Sequence, residues 1–330
     1  MKKACVVGYG NIGPVHAAAL EKISALYAIC DNDTEKLNRI DRDDIVKFSS
    51  FDDCLTDPKV EVVHICTPHY LHVPMAEKAL SSGRDVVLEK PAAMNLCELE
   101  HLADIIKASR NRVCVILQNR LNNSIIRLKE ITEKMGVPLG VCGFLTWQRT
   151  AEYYKSASWR GKLATEGGAL LINQAIHLLD MMQYIAGEPE GVKGNIFNHS
   201  LQGVIEAEDT AEAIISFKNG CKGAFYATNA YSATMPYRLE INYPDVTYRY
   251  SDNYLYEIKK DETPTIIAED CPAKIGKYIW GNAHHAAIER FYSEKEAYGT
   301  IFDAMNSHKL VYAIYESASK NGEYIKLGGN

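Results

Sequence analysis

Short apolar runs and longer helix-like patterns alternate along the first 120 residues. Runs rich in valine, isoleucine and cysteine predict strands at residues 4–7, 26–30, 60–66, 85–88 and 113–117. Apolar positions at helical spacing predict helices at residues 15–23, 73–80 and 96–109. The run at 60–66 is almost continuously apolar, which is typical of a parallel strand covered on both faces. The alternation predicts right-handed crossovers and a Rossmann-type, doubly wound parallel sheet.

The pattern changes after residue 120. Long helical patterns come first, and strand patterns then follow one another, at residues 125–135, 169–185, 210–218, 221–228, 238–243 and 246–250. Asn219-Gly220 lies between two of these strands and indicates a hairpin. Helical patterns return at 284–292 and 304–320. We therefore predict an α/β domain over 1–120 and an α+β domain over 121–330, with a mostly antiparallel open sheet and flanking helices.

Composition narrows the class of protein but not its function. The 330 residues suit two domains better than one core. Hydrophobic residues make up 47% and charged residues 24%, which excludes a mostly disordered chain. The net charge of −6 argues against a nucleic-acid partner, which needs a concentrated basic surface.

The cysteines and the N-terminus indicate the compartment. The closest two of the nine cysteines are twelve residues apart, so the chain has no zinc-type ligand pair, and we expect no metal. Scattered cysteines in apolar runs are typical of reduced core thiols. Glycines interrupt the first apolar stretch before a signal peptide could form, and no run reaches the roughly 18–20 residues of a membrane span. We expect a cytoplasmic protein with no membrane partner.

The segment after the first strand matches the dinucleotide-binding pattern G-x-G-x-x-G. Its residues are Gly8, Tyr9, Gly10, Asn11, Ile12 and Gly13. In such a loop Gly8 permits the tight turn, Gly10 lets the backbone approach a pyrophosphate, and Gly13 allows close packing of helix and strand. A strand precedes the pattern and a helix follows it, as the fingerprint requires. The alternative is a glycine turn that binds no nucleotide.

Asp31 follows the second predicted strand, 18 residues after Gly13. A carboxylate at this place accepts hydrogen bonds from the adenosine ribose and repels a 2′-phosphate. The next residues, Asn32 and Asp33, offer no arginine to a phosphate. The sequence therefore predicts NAD as the cofactor in preference to NADP.

Three further motifs narrow the family. Cys66-Thr67-Pro68 ends one strand, Glu89-Lys90-Pro91 ends the next, and Glu166-Gly167-Gly168 precedes a helical pattern with Asn173 and His177. In this order, across nearly the whole chain, they resemble the glucose–fructose oxidoreductase / inositol dehydrogenase / MocA (Gfo/Idh/MocA) family of NAD(P)-dependent sugar and polyol oxidoreductases. The resemblance implies a carbohydrate or polyol substrate and a homodimer or homotetramer.

The resemblance also implies roles for individual residues. Lys90 would be the active-site lysine, and His177 the helix histidine that faces it from the second domain. Residues that would line the cofactor are Thr67, Pro68, His72, Glu89, Lys90, Gln118, Trp159 and Arg160. Asn119 would lie beside the nicotinamide, within reach of the substrate. Many members of the family carry aspartate where this chain has Asn173.

Residue chemistry suits oxidation of a secondary alcohol. Asn173, His177 and Asp180 are spaced to share one face of an α-helix. We predict a Lys90–His177 relay for the hydroxyl proton, because histidine exchanges protons near neutral pH. Asn173 would hold a neighbouring hydroxyl, although asparagine cannot take its proton. A structural role is the better interpretation of Asp180.

Two more substrate contacts are predicted. Tyr153 could stack on a sugar ring, and His284 is a candidate hydrogen-bonding group. With Lys90, Asn119, Asn173 and His177 they complete the expected substrate set. The leading hypothesis is an NAD-dependent sugar, cyclitol or glycoside dehydrogenase. Two alternatives stay open at this point: a glycosidase that oxidises its substrate transiently and eliminates, and an NAD-binding sensor without catalysis.

Overall fold

A computed structural model of the chain describes residues 1–272, 282–293 and 298–328. The described residues form two compact units. The first contains 1–118, 282–293 and 298–304, and the second contains 119–272 and 305–328. The sequence-based division placed everything after residue 120 in one domain. The structure differs from it because residues 282–293 and 298–304 belong to the first unit.

The first unit is built on a parallel sheet. Its strands are β1 (Ala4–Val7), β2 (Leu26–Cys30), β3 (Val46–Phe48), β4 (Val62–Ile65), β5 (Asp85–Leu88) and β6 (Val113–Val115). Their order is β3-β2-β1-β4-β5-β6, and every neighbouring pair is parallel. Every residue of β1, β4, β5 and β6 is buried, and all of them are apolar except His64 of β4 and Asp85 of β5. The order is that of the doubly wound dinucleotide-binding fold, as predicted.

Helices connect these strands. They are α1 (Gly13–Lys22), α2 (Thr34–Asn38), α3 (Phe51–Thr56), α4 (His72–Ser81) and α5 (Leu96–Ala108). Local side chains fix several of their starts. Asn95 accepts the backbone N–H of Glu98 and donates to its carboxylate, both at 2.9 Å. This reciprocal arrangement satisfies a backbone donor that α5 itself leaves unpaired.

The second unit contains a larger, mixed sheet. Its strands are β7 (Gly140–Thr146), β8 (Pro189–Phe197), β9 (Thr210–Phe217), β10 (Lys222–Thr228), β11 (Arg238–Asn242), β12 (Val246–Ser251), β13 (Tyr254–Lys259), β14 (Thr265–Glu269) and β15 (Ile325–Lys326). In the described part of the chain their order is β14-β13-β12-β11-β7-β10-β9-β8-β15. Only β7 and β10 pair in parallel, so the prediction of a mostly antiparallel sheet is confirmed.

Two helices, α6 (Asn123–Met135) and α9 (Ile176–Ala186), pack against this sheet. The short helices α7 (Ala151–Lys155) and α8 (Leu163–Glu166) lie between β7 and α9 in the chain. Along β9 the residues alternate, with Ala213 and Ile215 buried and Glu212 and Ile214 exposed. The buried positions pack in one apolar core with side chains such as Leu128 of α6. The opposite face of the sheet therefore carries the polar and exposed positions.

The last two helices are α10 (Ala283–Ser293) and α11 (Ile301–Ser319). α10 packs against α1 within the first unit. No helix among the described residues is long and apolar enough to cross a membrane. All nine cysteines have free thiols; seven are buried or half-buried, and Cys97 and Cys271 are exposed.

The predicted helix over 169–185 is divided in the structure. Residues Leu170–Ala175 form a π-helical segment, and the α-helix begins only at Ile176. Hydrogen bonds in a π-helix run between residues five apart, so α-helical spacing does not apply to Asn173. The expected common face therefore holds for His177 and Asp180, which both lie in α9. Among the described residues, the sequence pattern also missed the short elements α2, α3 and β3.

Candidate active site

The glycine loop lies between β1 and α1. Gly8 has a φ of +90°, and a Cβ on it would lie 2.7 Å from the carbonyl oxygen of Cys66. A Cβ on Gly13 would lie 2.3 Å from the carbonyl oxygen of Gly8. Both distances are below any real contact, so only glycine fits at either position. The backbone itself enforces the first and third glycines of the predicted pattern.

Gly10 has the opposite surroundings. A Cβ built on it meets nothing within 4 Å, so the loop backbone faces open space at this residue. Asn11 is exposed and Ile12 half-buried, and α1 begins immediately afterwards at Gly13. Unpaired amide groups at a helix start attract anions, and a pyrophosphate needs close access to the backbone. The loop therefore fits a dinucleotide.

Asp31 lies at the carboxyl end of β2. Its Oδ2 accepts the Tyr9 N–H at 2.7 Å, and its Oδ1 accepts the Asp33 N–H at 2.9 Å. These bonds hold the carboxylate beside the glycine loop, as a ribose-binding acid requires. The Lys36 ammonium lies 3.5 Å from Oδ2, a neighbour that the sequence pattern does not indicate. Lys36 belongs to α2, a helix too short to show in the pattern.

His72 joins the chain segments that follow β4 and β5. Its Nδ1 is 2.6 Å from the carbonyl oxygen of Pro91, and its Nε2 is 2.8 Å from that of Thr67. The side chain is 1% exposed, and burial lowers its pKa. Both ring nitrogens thus face backbone oxygens, and the neutral ring donates its one N–H to one of them. His72 shapes the predicted cofactor-lining segment at Thr67 and Pro68 by fixing its backbone.

Glu89 is the centre of a buried polar cluster. Its Oε1 accepts from His16 Nε2 at 2.9 Å and lies 3.6 Å from His284 Nε2, while its Oε2 accepts the Lys90 N–H at 3.3 Å. Burial opposes its ionisation. The bonds from His16 and His284 outweigh that and hold the pKa of Glu89 well below its usual value. Lys90 is therefore anchored by its backbone to an ionised carboxylate, and its side chain is half-buried.

The cluster continues away from Glu89. His16 Nδ1 and His64 Nδ1 are 2.9 Å apart, and His64 Nε2 is 3.1 Å from the Tyr292 hydroxyl. One set of neutral tautomers satisfies every contact: Tyr292 donates to His64, His64 to His16, and His16 to Glu89. Burial lowers the pKa of both His64 and His284, which favours these neutral forms. His284, predicted as a substrate contact, lies in this cluster at 3% exposure.

In the second unit, buried carboxylates fix the helix that carries the predicted catalytic groups. Glu208 accepts the N–H groups of Ala169 and Leu171, at 3.3 and 2.8 Å, at the start of the π-helical segment. Asp180 of α9 accepts two bonds from the Arg120 guanidinium, at 2.6 and 2.8 Å. His177, in the first turn of α9, is 7% exposed. The Arg120 pair agrees with the structural role predicted for Asp180.

Asn173 contacts a carboxylate that the sequence analysis had treated only as part of a motif. Its Nδ2 donates to Glu166 Oε1 at 2.5 Å, and the Gly161 N–H donates to Glu166 Oε2. Glu166 is fully buried, and burial raises its pKa to about 7 despite these bonds. The sequence contains one indication of this contact. A glutamate precedes the two glycines, and asparagine stands where many members of the family carry aspartate.

Tyr153 lies between two arginines. The guanidinium carbons of Arg160 and Arg149 are 4.3 and 5.0 Å from its ring centre, within the range of cation–π attraction. Its hydroxyl accepts from Gln174 at 3.3 Å. Arg160 also stacks on Trp159 at 5.5 Å. The structure thus brings together the predicted residues Tyr153, Trp159 and Arg160, and adds Arg149 and Gln174, which the sequence did not indicate.

Gln118 and Asn119 follow β6 in a short 3₁₀ turn, Gln118–Leu121. Both side chains are buried, at 2% and 4% exposure. The Asn119 side chain lies beside the Tyr237 side chain within the second unit. Within the described residues no group of three or more histidine, cysteine or acidic side chains is arranged to hold a metal ion.

The glycine loop, the acid at the end of β2 and the strand order define the class of the first unit, a dinucleotide-binding Rossmann domain. Two family models match this chain, one described as "Oxidoreductase family, NAD-binding Rossmann fold" over residues 2–117, the other as "GFO/IDH/MocA C-terminal domain" over 127–248. The chain therefore belongs to the Gfo/Idh/MocA family, as the motifs indicated.

Similar proteins include sugar and cyclitol dehydrogenases. Myo-inositol 2-dehydrogenase of Thermotoga maritima is 25% identical over 308 residues, covering 80% of this chain and 90% of the relative. Levoglucosan dehydrogenase of Pseudarthrobacter phenanthrenivorans is 25% identical over 53% of this chain and 50% of its own length. The WlbA dehydrogenase of Bordetella pertussis, solved with NADH and UDP-GlcNAcA, superposes with a TM-score of 0.84 and 26% identity over 99% of both chains.

Proposed function

We propose that the chain is an NAD-dependent dehydrogenase that oxidises a secondary alcohol of a sugar, cyclitol or glycoside. The observation that carries the proposal is the glycine loop, where Gly10 opens the backbone to a ligand and Asp31 stands beside it. The relatives support the substrate class, since two of them are dehydrogenases named for myo-inositol and levoglucosan.

The first unit would hold the cofactor. The loop backbone and the start of α1 would bind the pyrophosphate, and Asp31 would accept the ribose hydroxyls. Bound NAD⁺ supplies the acceptor for a hydride from the alcohol carbon. Asp31 repels a 2′-phosphate, although Lys36 beside it weakens that repulsion. The remaining proposed cofactor contacts are Asn11, Ile12, Thr67, Pro68, Glu89, Gln118, Trp159 and Arg160, with His72 shaping the backbone at Thr67.

Lys90 and His177 would move the hydroxyl proton. An alcohol must lose its proton as hydride leaves its carbon, so a proton acceptor is required within hydrogen-bond reach. Histidine exchanges protons near neutral pH, and a lysine ammonium stabilises an alkoxide and can pass its proton on. Asn173 would hold a neighbouring hydroxyl. Asn119, Tyr153 and His284 complete the proposed substrate set, and the position of His284 in the Glu89 cluster favours an indirect contribution.

The direct test is a screen at the NADH absorbance band, with NAD⁺ and a panel of sugars, inositols, amino sugars and glycosides. We expect NADH to accumulate with at least one polyol or sugar. Net hydrolysis of a glycoside without NADH release would replace the proposal with transient oxidation and elimination. NAD⁺ binding with no turnover across the panel would favour a sensor.

The substitution Lys90→Ala tests the chemical assignment. We expect turnover to be lost while NADH binding, followed by fluorescence, survives, because the loop and Asp31 are unchanged. Lys107→Ala is the matched control, since Lys107 is on α5 with a side chain 62% exposed. Full activity in Lys90→Ala would remove the lysine from the mechanism.

We also propose that the exposed face of the larger sheet pairs with a second copy of the chain. Ile214 and Tyr226, on β9 and β10, are 58% and 37% exposed there. Apolar side chains clustered on an open sheet face are typical of an interface. Light scattering after gel filtration should give an oligomer for the wild type and a smaller species for Ile214→Asp. An unchanged mass would reject this face.

A further inference from the structure

Glu166 and Asn173 form a buried pair inside the second unit. Glu166 is the last residue of α8, and Asn173 lies in the π-helical segment that leads into α9. One carboxylate oxygen accepts from Asn173 Nδ2 at 2.5 Å, and the other accepts the Gly161 N–H. The Glu166 side chain is fully buried. The carboxylate thus connects two segments of the chain through directed hydrogen bonds.

These bonds decide which way the Asn173 amide points. An ionised carboxylate only accepts hydrogen bonds, so it must face the amide NH₂ group and not the carbonyl oxygen. The Oδ1 atom then lies on the side of the amide away from Glu166. Glutamine or a protonated glutamate carries a donor of its own, so either would permit the opposite amide orientation. Only the ionised carboxylate selects one orientation.

We propose that Glu166 is a positioning residue that orients the Asn173 amide, so that Oδ1 accepts the hydrogen bond of a substrate hydroxyl. This inference rests on the proposed function, which assigns Asn173 to the substrate. It explains how the chain works without the family's aspartate at this position. In this chain the carboxylate belongs to Glu166 at the end of α8, and it accepts a hydrogen bond from the Asn173 amide.

The surroundings of Glu166 set the pH at which this orientation operates. Burial raises its pKa to about 7, Arg160 lowers it, and the nearby Glu208 carboxylate raises it. Tyr154 and Tyr315 also interact electrostatically with it, and burial raises the pKa of both hydroxyls, so they stay neutral. The amide is therefore fixed above about pH 7. Below that pH the carboxylate gains a proton and the orientation is released.

The first experiment needs no substrate. Carbon-13 NMR of the whole protein, labelled at glutamate carboxyl groups, follows each carboxylate through a pH titration. We expect one signal with a midpoint near neutrality that is absent from Glu166→Gln and retained in Glu133→Gln, whose side chain is 63% exposed on α6. In Asn173→Ala the midpoint should rise, because the carboxylate loses a donor. A midpoint that does not move in Asn173→Ala would overturn the pairing.

The second experiment uses a substrate found in the screen. Above about pH 8, Glu166→Gln should raise KM roughly tenfold, the cost of one misdirected hydrogen bond, with a smaller change in kcat. The wild-type KM should rise as the pH falls below about 7, and that rise should be absent from the variant. Glu133→Gln should behave as wild type. A wild-type KM in Glu166→Gln at every pH would reject the positioning role.

Two further variants separate the possible failures. If Glu166→Gln does not fold, Glu166→Asp keeps the charge but withdraws it by one methylene, and it should raise KM in the same way. If Asn173→Ala leaves KM unchanged, the assignment of Asn173 to the substrate is wrong, and the positioning role falls with it. If Asn173→Ala raises KM but both Glu166 variants do not, only the positioning role is wrong.

Discussion

Glu89 in the first unit and Glu166 in the second are both buried carboxylates, at 5% and 0% exposure, yet their pKa values move in opposite directions. Glu89 receives hydrogen bonds from the ring nitrogens of His16 and His284 and stays ionised well below its usual pKa. Glu166 receives one bond from an amide and one from a backbone N–H, and burial raises its pKa to about 7.

The comparison shows that burial alone does not decide the charge of a carboxylate. Burial favours the neutral acid at both sites, and the outcome depends on what the partners donate. Glu89 receives hydrogen bonds from two histidine rings, whereas Glu166 receives one from an amide and one from a backbone N–H, and the nearby Glu208 adds like charge. Glu89, whose carboxylate accepts the Lys90 N–H, therefore stays ionised at neutral pH. Glu166 in the second unit titrates near neutral pH.

A third buried carboxylate, Asp180, extends the comparison to a permanently charged partner. Arg120→Met would leave Asp180 buried at 2% exposure without its guanidinium. Because an unpaired buried charge is costly, we expect the free energy of unfolding to fall by about 3–5 kcal/mol. Urea titration followed by circular dichroism measures this. Arg127→Met, which breaks an exposed pair with Glu130, should change nothing measurable.

A small change in the free energy of unfolding of Arg120→Met would contradict the comparison. It would mean that water or a side-chain rearrangement replaces the hydrogen bonds that Asp180 loses, and that the arginine does not control the charge of Asp180. Met is chosen because it preserves the apolar stem of arginine and so limits the loss of packing.

The substitution Glu89→Gln tests whether the ionised Glu89 carboxylate stabilises the first unit. Glutamine keeps the size but presents an NH₂ group toward donors such as the Lys90 N–H, so we expect a loss of about 1–3 kcal/mol at neutral pH. The folded-state pKa of Glu89 is depressed, so its stabilisation is present above the unfolded-state pKa and is lost as the pH falls through the folded value. Chemical unfolding at several pH values should show the difference from wild type shrinking in acid.

The control is Glu100→Gln on the exposed side of α5, which should follow the wild type throughout. A difference for Glu89→Gln that is the same at acidic and neutral pH would show that shape, and not charge, is what the cluster requires.

The sequence predicted those parts of the site whose chemistry is local. The G-x-G-x-x-G pattern of Gly8, Gly10 and Gly13 lies within one loop and Asp31 follows the end of one strand, so both can be recognised from local sequence. The doubly wound parallel sheet of the first unit followed from the alternation of strand and helix patterns, because right-handed crossovers leave few alternatives. These features need no knowledge of distant contacts.

The charge networks were not predictable in this way. His16 meets His64 and Glu89 across 48 and 73 residues of sequence, so no pattern joins them. Glu166 and Asn173 are only seven residues apart, yet they meet because the chain passes from α8 into a π-helical segment, which α-helical periodicity does not foresee. Lys36 lies beside Asp31 because it belongs to a five-residue helix, which is too short to be recognised in the sequence pattern.

The smallest expected effect is also the sharpest test of the comparison, because acidification should change the two units in opposite directions. The pKa of Glu166 is about 7 when folded against 4.5 unfolded, so the folded second unit binds the extra proton and gains stability as the pH falls between these values. The pKa values of His64 and His284 are lowered by folding, so the first unit loses stability as the pH falls below about 6.5. Each unit of pH changes the stability by at most about 1.4 kcal/mol per group.

Hydrogen exchange, corrected for intrinsic rates, should show slower exchange in Leu170–Ala175 and faster exchange in β4 on acidification, and the first change should vanish in Glu166→Gln. Parallel changes in both units would mean that Glu166 and these two histidines do not titrate as described.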